Sequence, residues 1–362
     1  MFARLQRNAF CVFSLVFAIT SLAALRTAAF AHDDGGYRVI NLTSNEPRVA
    51  RHQDPNLING WGMAFFGQGP FWLSDNITGV STLYDHGGNP LPLVVTIPPA
   101  PELPAGSKGS PAGIIANPTN KFVISQNGQS GPAAFIYASL DGTISGWNPG
   151  VNVTSSIIAV DRFSLHTGYT GLAFDETYAG PWLYAADAVN DQVDVYGGTY
   201  NYLFSFTDHN VPSNLGVYGV QTINDKIVVT FASIVPGQGG AVDVFDQFGN
   251  LLTRLASNGP GGPLEAPWGT ALAPSHFGQF SNALLVGNVD DGHISAYNFK
   301  TGAFLGQMRG NSGLKITIPG LWALQFGAGN PANGAKNQLF FAAGQDGYRD
   351  GLFGMIAPVD PN

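Results

Sequence analysis

Charge is scarce in this sequence, and positive charge is scarcer still. Only 11% of the 362 residues are Asp, Glu, Lys or Arg, about half the usual share for a globular protein. The 16 basic residues are outnumbered by 24 acidic ones. An acidic chain repels phosphate backbones, which argues against a nucleic-acid partner. Cysteine is almost missing: Cys11 is the single one, so neither an intrachain disulfide nor a Cys-rich zinc site can form. No His-Glu-x-x-His pair and no Gly-x-Ser-x-Gly elbow occurs, which removes the common zinc-protease and serine-hydrolase signatures. The near-absence of charge also excludes disorder as the main state.

Glycine and proline are abundant instead, at 47 and 24. Both are poor helix residues, so an all-helical fold is excluded. Phe, Tyr and Trp number 25, 12 and 6, and aromatic and β-branched residues favour strands. The composition describes a turn-rich, all-β protein.

The first 31 residues read as an export signal rather than as part of the fold. Arg4 and Arg7 precede an apolar stretch from Ala9 to Leu25, and Ala29-Phe30-Ala31 has the small-x-small spacing of a cleavage site. Arg26 cuts the stretch short of the roughly 20 residues a membrane span needs. Cleavage after Ala31 removes three arginines and no acid, leaving a mature chain of net charge −11. The expectation is a secreted or periplasmic protein with no membrane span, a monomer formed by a single domain over 32–362.

A unit of about 50 residues repeats six times. Each begins with an apolar run containing Gly or Trp: Trp61-Gly62-Met63, Ala112-Gly113-Ile114, Thr170-Gly171-Leu172, Tyr218-Gly219-Val220, Trp268-Gly269-Thr270 and Leu321-Trp322-Ala323. Second runs follow at Phe71-Trp72-Leu73, Phe122-Val123-Ile124, Trp182-Leu183-Tyr184, Ile227-Val228-Val229, Leu284-Leu285-Val286 and Leu339-Phe340-Phe341. Third runs alternate, as in Val193-Asp194-Val195-Tyr196, and a fourth follows a turn, as in Leu251 to Leu255. Four strands per unit and six units predict a six-bladed β-propeller. Glycine in the first strand fits a place where inner strands crowd the axis. The segment Tyr37 to Leu42 has no partner nearby in sequence and is expected to close the last blade as its outer strand.

In such a propeller, the loops leaving the fourth strands and those joining second to third strands open on one face. Polar and aromatic residues there are the candidate ligand-binding set: His52, Asp54, Asn56, Trp61, His166, Tyr169, His209 and Tyr218. At the ends of second strands stand Asp75, Asp187 and Asn288, in blades one, three and five. Three oxygen-bearing side chains spaced around a channel suit a hard cation such as calcium. The same residues also suit turn capping through side-chain to backbone hydrogen bonds. The sequence therefore supports an exported binding propeller with a small-molecule, glycan or protein partner at the channel mouth. The alternative is a calcium-dependent hydrolase or lyase.

The stretches His52 to Asp85 and Ala266 to Met308, with Asp141-Gly142-Thr143-Ile144-Ser145-Gly146-Trp147-Asn148 and Gly351-Leu352-Phe353-Gly354, resemble a family of uncharacterised exported bacterial β-propellers. Some of its members carry a PEP-CTERM sorting tail, which this sequence lacks. That resemblance implies the propeller fold and export, and no reaction. A looser similarity is to calcium-dependent lactonases of the gluconolactonase type, which place an Asp where Asp75 and Asp187 stand. Where those enzymes carry Asn before the inner-strand Gly, this chain has Trp61, Trp268 and Thr170.

Overall fold

The computed structural model describes residues 36–359, so the segment read as an export signal lies outside the described residues. Six blades follow one another around the propeller, each a sheet ordered from an inner to an outer strand, and five of them are wholly antiparallel. The inner strands are Gly60–Ala64, Pro111–Ala116, Tyr169–Thr177, Gly216–Ile223, Pro267–Leu272 and Leu321–Phe326. The protein is a six-bladed β-propeller, as the repeat predicted.

Each blade packs on a neighbour through both faces, which explains why the middle strands lack a polar face. Gly240–Phe245 is buried throughout, whereas the outer strand Leu251–Asn258 is exposed over its first three residues. Aromatic contacts join the blades. Trp72 stacks on Phe135 at 4.2 Å and meets Trp147 at 4.7 Å, between blades one and two. Phe71 meets Phe340 at 4.4 Å, between blades one and six. Inner-strand glycines have the expected cause: a methyl group at Gly113 would overlap the backbone nitrogen of Leu172, and one at Gly269 the carbonyl of Trp322.

The first strand, Tyr37–Ser44, closes the last blade. It pairs antiparallel with Asp350–Pro358, from Tyr37 opposite Pro358 to Ser44 opposite Leu352. His52–Gln53 then adds a short parallel edge beside Thr43 and Ser44.

Blade two departs from the expected strand assignment. Phe122-Val123-Ile124 does not supply its second strand, which is Phe135–Ser139. Instead, Val123–Gln126 and Gln129–Pro132 form a separate hairpin. Asn127 and Gly128 at its tip both have positive φ, the geometry of a two-residue hairpin turn. That turn sends the apolar run back on itself before it can join the blade.

Blade four carries charge inside. Arg254 Nε donates to Asp243 Oδ1 at 2.7 Å, and its Nη2 reaches Asp208 Oδ2 at 2.5 Å. Burial pushes the Asp243 carboxyl up to about 6; Arg254 opposes that rise and Asp208 adds to it. Among the described residues, no helix is long and apolar enough to cross a membrane.

Candidate functional site

Backbone clips bring the two expected loop sets together on one face. In five blades, the residue at or just after the end of the second strand donates its N–H to the carbonyl just before the start of the inner strand: Asn76 to Asn59, Leu140 to Ser110, Ala188 to Gly168, Val289 to Ala266 and Gly344 to Gly320. This is the upper face.

Aromatic side chains fill the channel there. Trp61 and Trp322 stack at 3.8 Å, and Trp268 meets Trp322 edge-on at 5.9 Å. Tyr218 and Tyr348 flank Trp322 at 5.9 and 5.5 Å. The indole N–H of Trp268 donates to Thr170 O at 3.0 Å, and that of Trp322 to Asn59 Oδ1 at 2.9 Å. The indole nitrogen of Trp61 is buried without a hydrogen-bond partner.

Beside this plug lies a cavity of about 560 Å³ lined by Tyr218, Tyr348, Asp191, Asp290, Val217 and Ile234, among others. Its walls come from blades three to six. Burial raises the Tyr218 hydroxyl above its usual range, reinforced by Tyr348 and Asp290. Burial and Asp290 likewise raise that of Tyr348. The loop that presents Tyr348 has left-handed backbone at Asp346, Gly347 and Tyr348. Non-glycine residues enter that region at a cost, so surrounding contacts must hold them there. At the opposite end of the channel a smaller space of about 250 Å³ is walled by inner-strand residues such as Met63, Ile115 and Gln221.

Of the expected ligand-binding residues, Tyr218 lines the upper-face cavity and Trp61 belongs to the plug. Tyr169 was expected at the mouth but turns into blade three. It is fully buried, donating to Asp194 Oδ2 at 2.8 Å and sharing a 2.5 Å hydrogen bond with Tyr196. A register shift between Tyr169 and Gly171 accompanies that placement. Asp54 holds the backbone N–H and side-chain amide of Asn56 through Oδ1 and accepts from the Tyr84 hydroxyl through Oδ2. His52 lies in the edge pair of blade six, half-buried. His166 is exposed, closing a short 3₁₀ turn with a left-handed backbone, and His209 is exposed ahead of blade four.

The three residues set out as a metal ring have separate partners. Asp187 Oδ1 accepts from the backbone N–H groups of Gly168, Val189 and Asn190, and its Oδ2 accepts from the Asn190 amide. It caps its own turn. Asp75 is fully buried, and burial raises its carboxyl well above the usual range, with Asp54 adding to the rise. Thr82 donates to its Oδ2 at 2.7 Å, while Oδ1 has no partner. Asn288 donates to Pro263 O at 3.0 Å, and its own oxygen is buried without one. Among the described residues, no group of three or more His, Cys, Asp or Glu is placed to hold a metal ion.

Sequence reasoning missed Trp322, Trp268, Asp191, Asp290 and Tyr348. The two tryptophans were within reach, since both sit at the inner-strand position that Trp61 occupies in blade one. Tyr348 carried no signal, because the left-handed turn at Gln345–Tyr348 has no counterpart in the other blades.

No family model matches the chain. It is 30% identical over 338 residues to the uncharacterized protein R648 of Acanthamoeba polyphaga mimivirus, covering 88% of this chain and 80% of that protein. It is 29% identical over 336 residues to protein L690 of the same virus, also uncharacterized, covering 88% and 85%. These relatives are viral, which overturns the expected membership of an exported bacterial family with PEP-CTERM members. Among solved structures, a glucose dehydrogenase superposes with a TM-score of 0.53 at 12% identity, over 89% of this chain and all of that one. The virginiamycin B lyase of Staphylococcus aureus superposes with a TM-score of 0.51 at 11% identity, over 89% of this chain and 99% of that one. At such identities the likeness is one of fold.

Proposed function

The chain belongs to the family that includes the mimivirus protein R648, and we propose that it is a binding propeller that receives a ligand or partner group in the upper-face cavity beside Trp322. The observation that carries this reading is the cavity itself: about 560 Å³, with two tyrosine side chains and two carboxylates converging on it. Concave sites with a few placed polar groups are where ligands bind. Aromatic walls give large contact area at little cost in side-chain entropy.

The test uses tryptophan emission. The Trp322 ring lies 5.5 Å from that of Tyr348, so occupancy of the cavity should alter its fluorescence. A panel of neutral sugars, amines, carboxylates and planar aromatics is titrated into wild type and Tyr218→Ala. A saturable response in wild type that the variant loses supports the reading. Responses equal in both proteins throughout the panel would refute it.

A second reading, a calcium-assisted hydrolase or lyase, draws on one observation: Asp75 keeps a fully buried oxygen without a partner. Metal analysis of the purified protein before and after chelation tests it, and a metal-free protein indifferent to chelator counts against it. Export belongs to the same proposal and rests on the sequence of residues 1–31. N-terminal sequencing of protein recovered from the medium or cell envelope should begin at His32.

A further inference from the structure

Resting on that reading of the upper-face cavity, we propose that the group it receives is a cation: an ammonium or guanidinium carried on an apolar body. The lining contains Asp191 and Asp290 but no Lys, Arg or His. Each carboxylate uses one oxygen locally. Asp191 Oδ1 accepts from the Val217 N–H at 2.8 Å, and Asp290 Oδ2 from the Gly237 N–H at 3.1 Å. These bonds fix where the carboxylates stand and leave the second oxygen of each to meet a ligand. Arg349, next along the chain from Tyr348, is not in the lining; it lies 3.7 Å from Asp346 instead.

The aromatic groups point to the same chemistry. Tyr218 and Tyr348 both line the cavity and both flank Trp322, and ring faces attract cations through their quadrupole. Asp290 lines the cavity together with both tyrosines and acts electrostatically on their hydroxyls, so negative charge stands beside the aromatic side chains. The cavity includes Ile234, whose side chain is fully exposed, and Val189 lies exposed on the adjoining blade-three loop. Those apolar groups suit the body that carries the charge. The chain's formal net charge of −8 adds a long-range attraction of the same sign. A bare metal ion fits less well, because no third acidic or imidazole group joins the two carboxylates.

The experiment uses the full chain and four probes followed by calorimetry: choline, its uncharged isostere 3,3-dimethylbutanol, a short peptide with one central lysine, and the same peptide with that lysine acetylated. The cationic member of each pair should bind at least about tenfold more tightly than the neutral one. Asp290→Asn, which keeps its shape and its bond to Gly237, should bring that ratio towards one. Asp191→Asn does the same if the first variant does not fold. Tighter binding of the lysine peptide than of choline would assign the cation to a partner's side chain, and the reverse to a free small molecule. Equal affinity for charged and neutral probes, lost in Tyr218→Ala, would overturn the cation while leaving the cavity as the site. Failure of every probe to bind would also overturn the cation, and the broader panel would then decide the fate of the cavity.

Discussion

Replacing Arg254 with methionine should destabilise the protein, and by an amount that depends on pH. Arg254 bridges the fully buried Asp243 and the nearly buried Asp208. Removing one partner of a buried ion pair costs about 3–5 kcal/mol, because a charge is left in a poor environment. Arg254 is itself 28% exposed, so water relieves part of that loss, and about 3 kcal/mol is the appropriate estimate. At about 2 °C per kcal/mol for a domain of this size, Tm should fall by about 6 °C near pH 8. The sign of the pH dependence follows from Asp243, whose folded-state carboxyl is raised to about 6. The folded protein holds that proton more tightly than the unfolded chain does, so the contribution of Asp243 to stability declines as pH rises from about 4 to about 6 and then levels off. Without Arg254 the carboxyl rises further, and the decline extends to higher pH. The gap in Tm between wild type and variant should therefore be narrower at pH 5, where the ionised Asp208 still loses its partner, than at pH 8, where Asp243 loses one too. Scanning calorimetry at the two values provides the measurement. An equal drop at both would refute the electrostatic reasoning and leave only lost packing of the arginine stem.

Deleting residues 36–44 should lower stability by about 5 kcal/mol or more, since Tyr37, Leu42, Thr43 and Ser44 are all buried in the closing strand; a melting point within about two degrees of wild type would count against closure as a source of stability. Asp187→Ala should cost about 1–3 kcal/mol through three orphaned backbone N–H groups. That loss should be the same with calcium and with chelator, and a calcium-dependent loss would return Asp187 to a metal site. Gly113→Ala should prevent folding or cost several kcal/mol, because its methyl group meets backbone, whereas Gly259→Ala, with open space around it, should change Tm little.

The propeller was legible because its signal is spread over six repeats, so an error in one blade did not disturb the count. Blade two shows the limit. Phe122-Val123-Ile124 has the composition of a second strand, and only the Asn127-Gly128 turn distinguishes its hairpin from a blade strand. The closing strand was legible by elimination, Tyr37 to Leu42 being a strand-like run with no neighbour in sequence to pair with. The site was harder to read. Trp61, Trp268 and Trp322 occupy one repeated position, but their stacking depends on strands that converge from blades one, five and six. Asp187 could be read either as a cap or as a ligand, since both roles want an acid at a strand end. Asp191, Asp290 and Tyr348 belong to loops of unequal length, where no periodicity aligns one blade with another.

The pairing of Tyr37–Ser44 with Asp350–Pro358 has a consequence for how the molecule is made. Its partners are separated by roughly 300 residues of chain, among the longest-range contacts the fold contains. Every other blade completes its sheet from a contiguous stretch, but this one joins the first and the last of the described strands. Among the described strands, the first can therefore pair only after the last has been made, and until then its edge has no ladder partner in blade six. Closing a loop of that length costs about 5 kcal/mol of chain entropy, recovered only when the final ladder zips. Refolding should therefore show a late, slow phase belonging to the ring closure. A circular permutant that starts in the exposed turn at Pro260, and joins Val359 to Gly36, would make blade six contiguous and shift that phase to another seam.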